Sequence, residues 1–341
     1  VFDGQYYRTC KWFLHIIGLW PYDKKSRRLF CNFIFCAVNI SMTVPQLELL
    51  FLQISKDWQR ITDIKERQIL MKFYEEAKSL VVFYTIYAFA AWIVYTSMPF
   101  IPFILDLVHP LENGTRPLFM PFYADYVFFD QNDYHYWACG HVAVIYFTSF
   151  LLYSGVDGIY VLTVKHTCGL LERITGFNED KTSKNDFVVH RSLSEAVTLH
   201  TETIGCFDLL ENSFNKCFLV VQGLSVVALS IAAVYILYIY ENTFLLLRVG
   251  AFLFGVILHL LYLNWIGQKI IESSSQVFDS TYKGNWYTVS IRSRKFINMI
   301  MYRSFKPCEL TAGTITTLSM ETFGILMKTS MSYFTVFLSV T

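Results

Sequence analysis

The residues best equipped for chemistry lie near the end of the chain. Thr311, Thr314, Thr316, Thr317, Ser319, Thr322, Thr329, Ser330, Ser332, Thr335 and Ser339 crowd a segment that is otherwise apolar. Glu321 and Lys328 join them, seven residues apart and so on nearly one face of a helix. A helix facing lipid has no use for these groups, and ionised ones in a bilayer cost several kcal/mol. Water in a pore would satisfy them, and so would partner helices. Thr329, Ser332, Val336 and Val340 fall on one stripe of the same helix. In a symmetric oligomer such a stripe makes rings about an axis. Apolar rings gate by dewetting, while polar rings keep a path wet. A Ser/Thr-lined contact between helices of one subunit is the competing reading of the same spacing.

Other reactive groups are scattered. Cys31, Cys36, Cys139 and Cys217 sit inside apolar runs, and Cys10, Cys168, Cys206 and Cys308 form no CxxC pair. They read as buried free thiols rather than as disulfides or a zinc site. No nucleophile–base pair, phosphate loop or metal cluster is evident, so no catalysis, metal or cofactor is expected. His141 and His259 lie within apolar runs. His141 suits a hydrogen bond to a neighbouring helix better than a ligand or metal. Asp157, between Gly155 and Gly158, falls near the end of another run.

The elements that must carry these groups follow from composition. Of 341 residues, 54% are hydrophobic and only 16% charged, with mean hydropathy +0.39. A soluble chain carries about a quarter charged residues. An ordinary cytosolic enzyme and a disordered chain are excluded, and a net charge of +1 gives no sign of a nucleic-acid partner. What remains is an all-α polytopic membrane protein. A crossing needs about 20 apolar residues. Stretches 29–47, 79–105, 136–156, 217–240 and 249–268 hold no Asp, Glu, Lys or Arg, and 310–341 holds only Glu321 and Lys328. These six runs are too long and continuous for barrel strands.

Charge sets the expected orientation. Residues 1–28 and 158–216 each hold six Lys or Arg, and 269–309 holds seven. Residues 106–135 hold Arg116 alone, against Asp106, Glu112, Asp125, Asp130 and Asp133, and carry the glycosylation sequon Asn113-Gly114-Thr115. That loop is placed outside and the basic regions inside. The expected division is a cytosolic segment 1–28, a span 29–50, a cytosolic loop 51–78 and a span 79–105. An extracellular loop 106–135 and a span 136–157 follow, then cytosolic helices and loop 158–216. The rest is a span 217–240, an extracellular loop 241–248, a span 249–268, a cytosolic region 269–309 and a last helix 310–341 with its end outside. One contradiction stands: 1–28 and 51–78 both look internal, yet a single span separates them. The chain opens at Val1 rather than Met, which reads as a fragment or as absent first residues, and no cleavable signal peptide is visible.

Two basic regions also carry helical periodicity. Val188, Val189, Leu193, Val197, Ile204, Phe207, Leu210 and Phe214 recur among charges, as do Trp286, Val289, Phe296, Ile297, Ile300 and Met301. They predict helices beyond the membrane that pack together or lie on its surface. Residues 176–186 read as a mobile loop.

The C-terminal segment also carries a resemblance. Pro307, Leu310-Thr311-Ala312-Gly313, Leu318-Ser319, Thr322-Phe323 and the run from Leu326 to Val336 closely resemble the signature of the insect odorant receptors. Gly18-Leu19-Trp20-Pro21 and Ile54-Ser55-Lys56-Asp57-Trp58 look like that family's patterns before and after its early helices. The resemblance implies a seven-helix bundle with its N-terminus inside and C-terminus outside. It also explains the contradiction, since the family's second helix looks absent between about Leu50 and Phe51.

It further implies an odorant-gated, non-selective cation channel in the plasma membrane of olfactory sensory neurons. Four subunits would surround one pore, an odour-tuning chain with a shared co-receptor. By resemblance the gate positions are Val336 and Val340, above Ser332 and Thr329, and the cytosolic helices form an anchor. A small volatile odorant would sit in the outer half of the bundle among Trp92, Tyr95, Thr96, Met98, Tyr146, Phe147, Phe150, Tyr235, Tyr238 and Phe252. Membrane lipid is the other partner.

Two alternatives stay open at this point: a metabotropic seven-helix chemoreceptor, and a truncated, non-functional receptor variant. A secondary transporter would show inverted repeats, which are not seen. If the loop is external, Asn113→Gln removes a glycan. The expected outcome is faster electrophoretic migration of Asn113→Gln, matching enzymatically deglycosylated protein, and identical migration before deglycosylation would refute the orientation.

Overall fold

Backbone groups in lipid must pair within their own segment, so long charge-free runs fold as helices. The computed structural model describes residues 48–110, 116, 134–179, 186–239, 241–284 and 286–340. Helical residues 48–60 form α1. Then come α2 (Ile64–Ser97), a 3-10 turn (Met98–Phe100) and α3 (Ile101–Val108). Next are α4 (His135–Glu179), α5 (Asp186–Tyr238), α6 (Thr243–Lys283) and α7 (Ile291–Ser304). A two-stranded antiparallel hairpin follows, β1 (Thr311–Ala312) and β2 (Thr316–Thr317), and the chain closes with α8 (Met320–Val340).

Local chemistry sets the boundaries. Pro99 and Pro102 lie at the starts of the 3-10 turn and α3, where a missing amide hydrogen is tolerated. Asn242 caps α6 by accepting from the Leu245 amide at 3.1 Å. Ser290 caps α7 in the same way. Among the described residues four helical stretches are long and apolar enough to cross a membrane: Ile64–Val108, His135–Gly176, Asp186–Tyr238 and Thr243–Lys283. Large apolar side chains lie exposed along them, among them Phe83, Trp137, Val144, Leu247 and Phe254. Water would not tolerate that surface, whereas hydrocarbon matches it.

The chain divides into two units, and α2 and α4 contribute to both. In the first, the described residues lie within Ser79–Ile159. There Trp92 Nε1 donates to the Ala143 carbonyl of α4 at 3.3 Å. Arg116 holds Asp106 through backbone and side chain and also reaches the His109 carbonyl.

The second unit comprises Thr43–Lys78 and Tyr160–Thr341. Its centre is the later part of α4, where Tyr160, Val161, Val164 and Ile174 are wholly buried. Tyr160 packs on Phe214 and Phe218 and donates its hydroxyl to the Leu263 carbonyl. A His166–Asp57 hydrogen bond at 3.1 Å and two ion pairs, Lys165–Glu76 at 2.7 Å and Arg173–Glu66 at 2.5 Å, fix α4 against α1 and α2. Removing one partner of such a pair strands a charge, at a cost of about 3–5 kcal/mol when fully buried. Val189 and Leu193 of α5 pack on Ile297 of α7, flanked by Val289, Phe296 and Met301. The two amphipathic helices therefore meet each other.

Several expectations change. Residues 310–341 are not one helix: 310–319 hold the hairpin, and α8 begins at Met320. The cause is the turn at Gly313 and Thr314, both with φ near +60°, a left-handed geometry that no helix accommodates. The loop 51–78 is almost wholly helical, in α1 and the start of α2. The loop 106–135 opens with the last turn of α3. Residues 176–179 of the supposed mobile loop belong to α4. The junction at Leu50 and Phe51 lies inside α1 without a break. The first span 29–47, the sequon at Asn113 and residues 180–185 fall outside the described residues.

A Cβ at Gly267 of α6 would overlap the Leu318 carbonyl oxygen just before α8. Gly267→Ala gains helix propensity, about 1 kcal/mol, but overpacking against backbone costs about 1–3 kcal/mol. The expected net result is a lower thermal midpoint for the detergent-solubilised protein, and a raised midpoint would contradict the close approach.

Candidate functional site

Two places in the structure merit attention, and the first is aromatic. Trp92 and Phe89 stack on α2 with ring centroids 5.5 Å apart. Helical spacing of three brings them to one side. Across from them α4 presents Tyr146, Phe147 and Phe150. Trp92 meets Phe147 at 5.2 Å, Phe89 meets Phe150 at 5.8 Å, and Tyr95 meets Tyr146 edge-on at 6.4 Å. Thr96 returns its hydroxyl to the Trp92 carbonyl at 2.8 Å, and Met98 is buried nearby in sequence at the 3-10 turn. Six predicted residues thus share one patch or adjoin it, with Met98 as the seventh in the same unit. Phe89 was not predicted, although its position three residues before Trp92 was the available signal. Tyr235, Tyr238 and Phe252 belong to the other unit and are exposed.

The patch is apolar with few polar groups. The Trp92 indole and the Thr96 hydroxyl are already committed to backbone carbonyls. Such a surface can hold a small apolar molecule by contact.

The second place is α8 with the hairpin that seats it. Twenty-one residues at 1.5 Å each span about 32 Å, close to the hydrocarbon thickness of a bilayer. Ser319 caps the helix, accepting from the Thr322 amide at 3.1 Å. Thr322 and Ser330 face inward and are buried. Glu321, Ile325, Lys328, Ser332 and Val336 lie on the opposite face and are exposed, Val336 at 55%. The hydroxyls do not all demand water. Thr329 donates to the Ile325 carbonyl, Ser330 to that of Leu326 and Thr335 to that of Ser332. Their own helix satisfies them. The exposed charges cannot be satisfied so. Thr329 flanks the exposed face, and the Val340 side chain lies outside the described residues.

The hairpin is held by polar groups on α5. Glu211 accepts from the Thr311 amide at 2.9 Å and, in a short contact, from its hydroxyl. Asn215 Nδ2 donates to Glu211 at 2.8 Å and to the Thr311 hydroxyl at 2.5 Å, while its carbonyl accepts from the Gly313 amide. Thr316 donates to Gln222 at 3.1 Å, and Gln222 reaches Asn264 of α6 at 3.4 Å. Gln268 accepts from the Met320 amide at the start of α8. Leu310, Ala312 and Leu318 are buried beneath. None of these polar positions was predicted. Gln222 and Asn264 stood out as amides inside charge-free runs, which was the available signal.

A cleft of about 760 Å³ opens beside the hairpin, lined by Phe207, Phe278, Tyr302, Phe305, Cys308 and Thr311 among others. None of the ten predicted ligand residues lines it. Among the described residues no cluster could hold a metal, and Cys139, Cys168, Cys206, Cys217 and Cys308 form no disulfide with one another. His141 is exposed, His259 half-buried and Asp157 buried.

The long helices, lipid-suited surface and non-helical joint before the last helix define a multi-pass helical membrane protein. The family model described as 7tm Odorant receptor matches residues 27–331. The chain belongs to that odorant receptor family. Odorant receptor 10 of Aedes albopictus is 25% identical over 55% of this chain and 49% of its own length. Odorant receptor Or2 of Anopheles gambiae is 24% identical over 52% of this chain and 46% of its own. The chain thus matches about half the length of these curated relatives. The fold is that of the olfactory receptor OR5 from Machilis hrabei. The structure of that receptor alone gives a TM-score of 0.67 at 15% identity, covering 99% of this chain and 91% of the other. Its complex with eugenol gives 0.63 at 15% identity, covering 94% and 93%.

Burial pushes the Cys308 thiol up to about 11, outweighing an opposing pull from Arg303. It should stay unlabelled by N-ethylmaleimide at pH 8 until the protein is denatured. Peptide mass spectrometry reads this, and native labelling at the rate of a free thiol would refute the burial.

Proposed function

We propose that this chain is the odour-tuning subunit of an odorant-gated cation channel. It works with a co-receptor around a shared pore in the plasma membrane of olfactory sensory neurons. The N-terminus lies inside the cell and the C-terminus outside. One observation carries the reading: a helix of bilayer length exposes Glu321, Lys328, Ser332 and Val336 on a single face. Membership of the odorant receptor family supports it.

Around a central axis that face would make a wet path with charged and hydroxyl rings. Val336, followed by Val340, would close it as an apolar constriction that excludes water when narrow. Ser332 and Thr329 would keep the adjoining stretch hydrated. The ligand is a small volatile molecule held against the patch of Trp92, Tyr95, Thr96, Met98, Tyr146, Phe147 and Phe150. The Machilis hrabei receptor, of the same fold, was solved with eugenol, a ligand such a patch would also suit by size and apolarity.

The test is current recording from cells expressing the chain with and without the co-receptor. Replacing the apolar constriction by Val336→Asn should raise resting current at equal surface amount. An unchanged resting conductance removes that residue from the gate, and an odorant response that requires a G protein overturns the channel itself.

A further inference from the structure

The seat of α8 is asymmetric in its chemistry. Its apolar part, Leu310, Ala312 and Leu318, is wholly buried and packs wherever the hairpin goes. Its polar part is directional. Glu211 takes three donors: the Thr311 amide, the Thr311 hydroxyl and Asn215 Nδ2. A carboxylate accepting several hydrogen bonds makes stronger ones than a neutral acceptor would. Glu211, Asn215 and Gln222 recur at spacings of four and seven, on one face of α5. That face is therefore a track along the hairpin, and Thr311 and Thr316 mark one register on it. A shift of α5 along or about its axis would break these bonds first, because hydrogen bonds tolerate little misalignment. The same helix carries Tyr235 and Tyr238 about 36 and 40 Å beyond Glu211, at 1.5 Å per residue.

We propose that Glu211, with Asn215, is a positioning group that latches the hairpin and so holds α8 in its resting position. Thr311 is the catch on the hairpin side. The proposal rests on the reading of α8 as the pore helix. When the ligand end of α5 moves, the latch is what yields, and the base of α8 is released with it. The carboxylate touches neither ligand nor ion. It acts through the hairpin.

The test uses the full chain with its co-receptor, carrying Val336→Cys, and no odorant. The probe is a trimethylammonium methanethiosulfonate applied outside, read as the rate of current change, with surface amount measured by biotinylation. The chain with Val336 intact controls for other thiols. Glu211→Ala and Thr311→Val should each speed modification about fivefold or more and raise resting current per surface subunit. Glu211→Gln, which keeps an acceptor for the Thr311 amide, should do less. The double variant Glu211→Ala with Thr311→Val should be no faster than the faster single one, since one latch is lost once.

If Glu211→Ala fails to reach the surface, Thr311→Val and Thr316→Val carry the same readout. Equal rates and unchanged resting current in all backgrounds overturn the latch alone, and so do effects of the double variant that multiply. If the probe leaves the current of every Val336→Cys chain unchanged, the pore reading falls and takes the latch with it. A residue of merely structural importance would lower the surface amount and leave the rate per subunit where it was.

Discussion

Every peptide group between α7 and α8 must find a partner without the help of a helix. That need shapes the second unit. A hairpin two residues wide on each side supplies few bonds of its own, and unsatisfied backbone groups in a buried joint are expensive. Glu211, Gln268 and Ser274 therefore lend side-chain acceptors to backbone amides, the backbone carbonyl of Asn215 accepts from the Gly313 amide, and Gln222 accepts from the Thr316 hydroxyl. Gly267 has no side chain, so Leu318 can approach the α6 backbone. Gly313, at φ +63°, turns the chain under Leu219. The joint is thus a polar fitting inside apolar walls, and the last helix inherits its position from it.

The other polar groups of this unit do related work at a distance from the joint. His166, Lys165 and Arg173 are spaced along one segment of α4 and each meets an acid on α1 or α2. Apolar contacts alone would let helices slide by a turn with little penalty. Charges that must meet their partners allow only one register, which is the specificity such pairs can provide at some cost in stability. The chain thus uses burial for cohesion and a few polar contacts for alignment.

Much of this was legible in the sequence. The charge-free runs named the helices because lipid allows little else. The periodicity of Val189, Leu193 and Ile297 pointed to helices outside the membrane, and these meet as a packed pair. The aromatic residues of α2 and α4 were named because the family resemblance implies a pocket in the outer half of the bundle, not from their spacing. The hairpin was not, because Thr311 to Thr317 is as apolar and hydroxyl-rich as the helix it precedes. Only Gly313 between β-branched threonines hinted at a turn. Glu211 was illegible for another reason: it looked like one more charge on a solvated helix, and only the fold brings Thr311 to it.

The order of the elements along the chain has a bearing on biosynthesis. α5 and α6 leave the ribosome before the hairpin and α8, so their docking track stands complete and empty while the last segment is still being made. Glu211 and Gln222 then present acceptors that Thr311 and Thr316 have not yet filled. A nascent receptor that fails to finish its final segment would carry that unfilled track as a visible flaw. Quality control in the secretory pathway would have a local feature by which to tell an unfinished chain from a finished one.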